Sequence, residues 1–491
     1  MGILSAILWT PAIGALILAL ISGRDADIAR YLGNLFAGFT LLLTCYLLFN
    51  YDPHNAGLQF NEYYAINPKI GSAYALGVDG LSLPMVALAT LLTLISLLVS
   101  SSITSSIKGY HICILLTEFG MLGVFLSQDW SLFYIFWEIT LIPMFFLIDR
   151  WGGKRRQTAS LNFVLYTMGG SIFMLVSLIA VYQYVPEHVS LMSAMNQVSQ
   201  EMPKDQQIWA FLGFMIGFGV KMPIFPLHGW LPLAHVEAPS PVSILLSGVL
   251  LKMGAYGLLR VVVILPIAAQ AMQSLLVFLA LFGMIYGGLL AWRQSDLKAM
   301  VAYSSISHMG IVLLGISTLN ETGFTGAVLQ MSAHGLIAGA LFLVVGLLYD
   351  RTHTRNIQDY SSLVQVMPRF AFFTTITLLA AMGMPGTVGA VAELHAMIGG
   401  FRQWGELMVF FSLAILISTA YAIRTIGLLF TGPVKPQMKQ IEDLRPAELL
   451  ALGVLVAGIV LFGLLPASLI DLSTATVSQM NSLIRLRVLE G

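Results

Sequence analysis

Apolar runs long enough to cross a bilayer recur along this whole chain, and that limits its fold more than any other feature. A spanning helix needs about 20 mostly apolar residues, and about fourteen runs of that kind occur. They lie near 3–22, 31–49, 81–104, 110–128, 130–149, 162–183, 208–223, 241–263, 272–292, 297–317, 322–349, 371–387, 408–430 and 447–470. The fold predicted is an all-α polytopic membrane protein, because a helix satisfies its own backbone groups in lipid. The chain is 57% hydrophobic and 10% charged, whereas a soluble domain carries about 25% charged residues. Formal net charge is zero, so no overall field favours nucleic acid. The first run has no basic segment before it and reads as a membrane helix, not a cleaved signal.

Lys and Arg set the orientation. Loops after odd-numbered runs hold Arg24 and Arg30, Lys108, Lys154 to Arg156, Arg293, Arg351 and Arg355, then Lys435, Lys439 and Arg445. Loops after even-numbered runs hold mainly Lys69, Lys204 and Arg402, and the loop after run seven holds neither residue type. The odd loops are therefore expected in the cytoplasm, with both termini opposite. The longest outer loops, near 50–79 and 184–207, are too short for a catalytic domain. Residues from about 471 to 488 read as an amphipathic tail helix.

A charge at bilayer depth costs roughly 2.5–3.5 kcal/mol on insertion scales, so each one needs a reason. Glu138 has apolar neighbours on both sides and no local partner. Lys221 precedes Pro223 and Pro226, which should break run seven and free carbonyls in the turn before. Glu393 follows Pro385-Gly386, so run twelve should break in the same way. Segments 225–240 and 389–402 would continue these broken helices. Irregular backbone at this depth lines buried or wet cavities, as at transporter sites. Lys252 lies between Gly248 and Gly254, which allow close helix approach. His308 follows the polar run Tyr303-Ser304-Ser305, and His334 precedes Gly335. Each of these has a competing structural reading: a carboxylate or imidazole satisfied by a neighbour, or a lysine reaching for the interface. That reading is as good as the functional one for Glu118 and for Lys298.

Other chemistries lack support. No P-loop or strand–GxGxxG–helix unit occurs. Cys45 and Cys113 lack the spacing of a cluster ligand set, and the histidines and glutamates lack that of a metal site. What remains is one titratable group every run or two. The two breaks fall five runs apart, which fits two inverted five-helix repeats. The implied divisions are 1–108, 109–265, 266–432 and 433–491.

The stretches FWEITLIPMFFLI, VKMPIFPLHGWLPLAHVEAPSPVSILLSGVLLKMGAYGLLR, AYSSISHMGIVLLGIS and LQMSAHGLIAGALFLVVGLLYDRTHTR resemble the antiporter-like proton-pumping subunits of complex I. The resemblance covers nearly the whole chain. It is to the subunit M/chain 4 type, called NdhD in cyanobacteria and chloroplasts. It implies fourteen membrane helices, a Glu138 paired with a proton-bearing Lys221, a path through Lys252, His308 and His334, and a terminal site at Glu393. It also implies a proton-translocating NAD(P)H or ferredoxin:quinone oxidoreductase. The redox cofactors, iron–sulfur clusters, (plasto)quinone and ferredoxin or NAD(P)H, would lie in other subunits, and this chain would bind none. Partners would be the L/NdhF and N/NdhB types, lipid and, in a CO2-uptake variant, its dedicated subunits. The stretch 315–354 leans towards the photosynthetic forms, hence a thylakoid or bacterial inner membrane. Two places depart from the family: Leu233 stands where Asp is usual, and Val388-Gly389-Ala390 replaces a Ser-Gly-Phe run. The alternatives are a subunit of an Mrp-type cation/proton antiporter, a membrane subunit of an energy-converting hydrogenase, and a scaffold that has lost pumping.

Overall fold

The computed structural model describes residues 2–21, 26–186 and 188–490; Arg24 lies outside them. Helices occupy all fourteen runs. In chain order they are α1 (Ile3–Leu20), α2 (Ala26–Phe49), α3 (Ser82–Leu98), α4 (Ile107–Leu126), α5 (Trp130–Ile139), α6 (Leu141–Trp151), α7 (Arg156–Tyr182) and α8 (Lys204–Lys221). The half-helix α9 (Trp230–Glu237) leads into α10 (Ser240–Ile264), α11 (Gln273–Arg293), α12 (Leu297–Ser317), α13 (Glu321–Thr352) and α14 (Pro368–Ala381). The half-helix α15 (Val388–Trp404) precedes α16 (Val409–Phe430), α17 (Pro446–Leu464) and the tail helix α18 (Ala467–Glu490). Among the described residues, 11 helical stretches are long and apolar enough to cross a membrane, and α3 and α14 are shorter apolar helices.

Local chemistry explains several boundaries. Asp296 caps α12 by accepting from the amides of Lys298 and Ala299 at 2.7 and 3.1 Å. Asn320 caps α13 through Gly323 N at 2.9 Å. Asp129 caps α5 through Leu132 N at 3.0 Å and also accepts from Ser190 Oγ at 2.6 Å. Run five contains an unforeseen break at Thr140, between α5 and α6. Pro143 has no N–H to give back to the turn before it, and Thr140 Oγ1 turns back to donate to Trp137 O at 2.8 Å. The loop 50–79 also holds an unforeseen antiparallel hairpin, β1 (Gln59–Asn67) with β2 (Ser72–Val78). The tail helix starts earlier than expected, at Ala467.

The core explains where chemistry can sit. The most apolar windows of α10 and α13 are 100% buried and that of α12 is 94% buried, against 28% for α2 and 33% for α17. The outer helices shield three central ones, and those three carry Lys252, His308 and His334. Near the C-terminal end of α10, Arg260 Nη1 meets Asp79 Oδ2 at 2.7 Å and Arg260 Nη2 meets the Tyr256 hydroxyl at 3.0 Å. Burial works against the charge on Asp79, yet the Arg260 guanidinium and the amides of Ser82 and Leu81 hold its carboxyl below the usual range.

Candidate functional site

Proline sets the first break. α8 stops at Lys221, and the chain turns through 222–229 before α9. Ile224 N reaches back to Gly219 O at 2.8 Å, so Val220 O loses its helical partner. The buried indole of Trp230 replaces it, donating to Val220 O at 2.8 Å. Lys221 is only 1% exposed. Its ammonium donates to Thr140 Oγ1 at 2.9 Å and lies 4.4 Å from the Trp137 ring centroid. The unforeseen break in run five thus supplies a hydroxyl to the lysine at the break in run seven.

Glu138 is close to this lysine without touching it. No ion pair joins the two among the described residues, although Lys221 is within electrostatic reach of the carboxylate. Glu138 faces an apolar surface groove of about 690 Å³ lined by Tyr134, Ile142, Phe146 and Met168. Its Oε1 is buried and has no hydrogen-bond partner. Glu118, on α4, is 0% exposed, and neither of its oxygens has a hydrogen-bond partner.

The centre is continuous. One turn of α10, Leu246–Leu250, is π-helical. Such a turn widens the helix and releases carbonyls, and it recurs at functional sites. Lys252, next to it, donates to Ser247 O at 2.5 Å and lies 2.6 Å from His334 Nδ1. The His334 and His308 ring centroids are 5.5 Å apart. His308 Nε2 is 3.0 Å from the Ala381 carbonyl, which accepts its proton at the end of α14. Ser247 and Ser305 hydroxyls meet at 3.1 Å beside this series.

The second break is built from glycine. Gly383 has φ +73° and Gly386 +89°, values that favour glycine. A methyl group on Gly383 would lie 2.1 Å from Glu393 Oε2. The Glu393 carboxylate therefore rests on the Gly383 backbone, two residues beyond the carbonyl that binds His308. Of the six candidates, Lys252, His308 and His334 form one cluster. Glu393 adjoins it through the second break, and Lys221 with Glu138 stands at the first.

Sequence reasoning missed His235. It is 0% exposed, stacks on Phe342 at 4.5 Å, and neither ring nitrogen has a hydrogen-bond partner among the described residues. It is within electrostatic reach of both Lys298 and Lys252. Its signal was its place on the half-helix after a break, a segment read for its prolines and for Leu233. Lys298 is not extended to an interface. It is 3% exposed, and its ammonium donates to the Ala238 carbonyl. It lines a cavity of about 820 Å³ with Glu237, Asp296, Asp350, His353 and Arg355. The loops after runs five, seven, nine and eleven meet around this cavity.

Residues 127–418 match the family described as NADH:quinone oxidoreductase/Mrp antiporter, TM. NAD(P)H-quinone oxidoreductase chain 4 1 of a Picosynechococcus species is 39% identical, over 95% of this chain and 90% of that protein. NADH-quinone oxidoreductase subunit M of Rickettsia conorii is 37% identical, over 97% of this chain and 98% of that protein. Among solved structures, a chain of respiratory complex I from Thermus thermophilus with bound NADH is 29% identical. It aligns with a TM-score of 0.89 over 98% of this chain and 99% of its own length. A chain of the Mrp complex from Dietzia shares the fold at 21% identity and a TM-score of 0.83, with 55% of that longer chain covered. With the family matched over more than half its length and relatives along nearly all of it, this chain belongs to the NADH:quinone oxidoreductase/Mrp antiporter transmembrane family, as a homologue of subunit M/chain 4.

Proposed function

We propose that this chain is a proton-translocating membrane subunit of a complex I-type quinone oxidoreductase. The observation that carries this is the enclosed succession Lys252, His334 and His308, with 2.6 Å between the first two polar atoms and 5.5 Å between the two rings. Amine and imidazole groups in sequence can accept and donate protons, and the central helices keep lipid and bulk water away from them. Glu138 and Lys221 control loading: a carboxylate near a lysine holds its proton, and its withdrawal favours release. Glu393 receives the proton at the second break. The cavity at Lys298 is the inlet, with His235 between it and Lys252. The groups titrate together, so no step belongs to one residue alone.

The rest of the assignment extends this reading. One break falls within each of two inverted repeats, 109–265 and 266–432. The chain binds no redox cofactor; iron–sulfur clusters, quinone and the electron donor belong to other subunits, and its neighbours are the L and N antiporter-like types. The Picosynechococcus relative supports a photosynthetic complex using ferredoxin and plastoquinone, in a thylakoid membrane with both termini lumenal. Leu233 and Val388 to Ala390 support a divergent paralogue serving CO2 uptake. The relatives at 37–39% identity favour a redox-driven complex over an Mrp antiporter or hydrogenase subunit.

Mild-detergent purification of the native assembly, with its subunits identified by mass spectrometry, tests this reading. Quinone reductase subunits are expected. Antiporter subunits without any redox partner would make the chain a secondary transporter, and nickel–iron subunits would make it part of a hydrogenase.

A further inference from the structure

The contact between α13 and α15 brings a residue outside the proposed series to its weakest link. The two helices approach closely along a stripe of small residues. A methyl on Gly399 would lie 2.6 Å from Gly323 Cα, and one on Gly326 would lie 2.4 Å from Ala396 N. Further along, a methyl on Gly389 would lie 3.2 Å from Ile337 Cδ1. The facing positions on α13 are therefore 323, 326 and 337, a spacing that includes 330 on the same side. On α15 the level between Ala396 and Gly389 is that of Glu393. Position 330 thus lies on the face of α13 turned to the helix carrying Glu393, near the level of Glu393.

Gln330 is 2% exposed, and its Oε1 has no hydrogen-bond partner among the described residues. One turn along the same helix, His334 Nε2 is also buried without a partner. The two are complementary. With Lys252 donating to Nδ1, a neutral His334 carries its proton on Nε2. A donor and an acceptor, four residues apart on one helix face, both lack what the other offers. Glu393, across the interface, makes no hydrogen bond among the described residues. A single water takes about three such bonds to buried groups, and His334 Nε2, Gln330 Oε1 and Glu393 together supply three.

We infer that Gln330 is a positioning residue for proton transfer, holding the bridge between His334 and Glu393. This rests on the proton-translocating reading above. An amide suits the role because it donates and accepts at every pH without trapping the proton. The unreactive side chain at the junction therefore sets the geometry while its titratable neighbours carry the charge.

The test uses the assembled complex in liposomes, reading protons moved per quinone reduced. Gln330→Leu, which keeps the volume and removes the hydrogen bonds, is expected to slow pumping on the order of tenfold, as for one lost hydrogen bond to a charged group. Gln330→Met covers the case in which the leucine variant does not assemble. Gln330→Glu keeps acceptor oxygens and should restore pumping at acidic pH but less at alkaline pH, where two facing carboxylates repel. Infrared difference spectra add a readout that a purely structural role leaves unmoved: the carboxyl band lost in Glu393→Gln should shift in Gln330→Leu. Wild-type pumping with an unshifted band in both apolar variants overturns the inference. Lys221→Met is the control. If it pumps normally, the translocation reading itself fails; if it is silent while the Gln330 variants pump, only the role of Gln330 fails.

Discussion

The two helix breaks look alike in the sequence, yet they are built differently. At the first, the charged residue is the last of its helix: Lys221 closes α8, and two prolines follow. A helix C-terminus carries partial negative charge within its last turn, so it favours a cation there. Thr140 and the face of Trp137 complete a site shaped for an ammonium. At the second, the charge lies beyond the break, in the second turn of α15, where the helix field has already weakened. What holds Glu393 is contact with the bare backbone of Gly383. The first break selects a sign of charge, and the second selects a position.

The largest effects expected break that comparison outright. Lys221→Met should stop translocation, on the order of a hundredfold or more for a lost proton-transfer group, while the chain still inserts. Pumping in liposomes checks this. Charge reversal sharpens it. Lys221→Glu sets a carboxylate against a helix C-terminus and should lower the amount of assembled subunit in the membrane. Glu393→Lys should assemble, since the second break does not select the sign. Equal assembly of the two reversals would remove the distinction.

A buried charge that does have a partner supplies the reference. Asp79→Asn leaves Arg260 unpaired near the C-terminal end of α10, and breaking such a pair costs about 3–5 kcal/mol. Thermal unfolding in detergent should show it. Asp79 is held below the usual carboxylate range. Its stabilisation is therefore complete above the unfolded carboxylate value and is lost as pH falls through the lower folded one. Acid should loosen the attachment of α10 to the loop 50–79, and Asp79→Asn should abolish that pH dependence.

Glycine separates the breaks at the next level. Gly383→Ala places a side chain at φ +73°, 2.1 Å from the Glu393 carboxylate. The backbone strain is about 1–2 kcal/mol, and overpacking typically adds another 1–3 kcal/mol. Pumping should fall with stability, because the carboxylate must move. At the first break a methyl on Gly219 meets the flexible ends of Ile224 and Leu227, at 3.3 and 3.4 Å, and touches Ile224 Cβ at an ordinary 3.6 Å. Gly219→Ala should be neutral, or stabilising by up to about 1 kcal/mol through helix propensity. A Gly383→Ala variant that pumps like wild type would show that the second break does not position Glu393.

These differences explain what the sequence could and could not reveal. The places of the helices were legible because lipid demands long apolar runs, and both breaks were legible because proline and glycine mark them. Lys221, Lys252 and Glu393 stood out because charge at depth is costly. The hairpin at 59–78 was not legible, since a loop between spans is freed from the membrane's constraint. Thr140, His235 and Gln330 were hidden for another reason. Threonine and glutamine are unremarkable in an apolar run until a neighbouring helix shows what they face, and His235 lies on a half-helix outside the fourteen runs. The π-helical turn beside Lys252 leaves no mark in residue spacing.

The smallest effect probes how the first break remains tolerable inside a bundle. When α8 ends early, Ile224 N goes to Gly219 O and the Val220 carbonyl is left without a backbone donor. Among the described residues only the Trp230 indole reaches it, from the start of α9. Trp230→Phe keeps most of the ring volume against Phe163, 5.3 Å away, and removes that donor. An orphaned buried acceptor costs about 1–3 kcal/mol, so unfolding should move to modestly lower temperature. The second break has no such indole. Met384 N turns back to Leu379 O at 3.1 Å, and Thr387 Oγ1 donates to Met384 O at 2.7 Å. If the break at Lys221 is closed by Trp230, the phenylalanine variant should also loosen Lys221 and raise amide exchange in α9 before anything changes in α15. Exchange rising equally in both half-helices would mean that the two breaks move as one unit, and that the difference between them is one of composition alone.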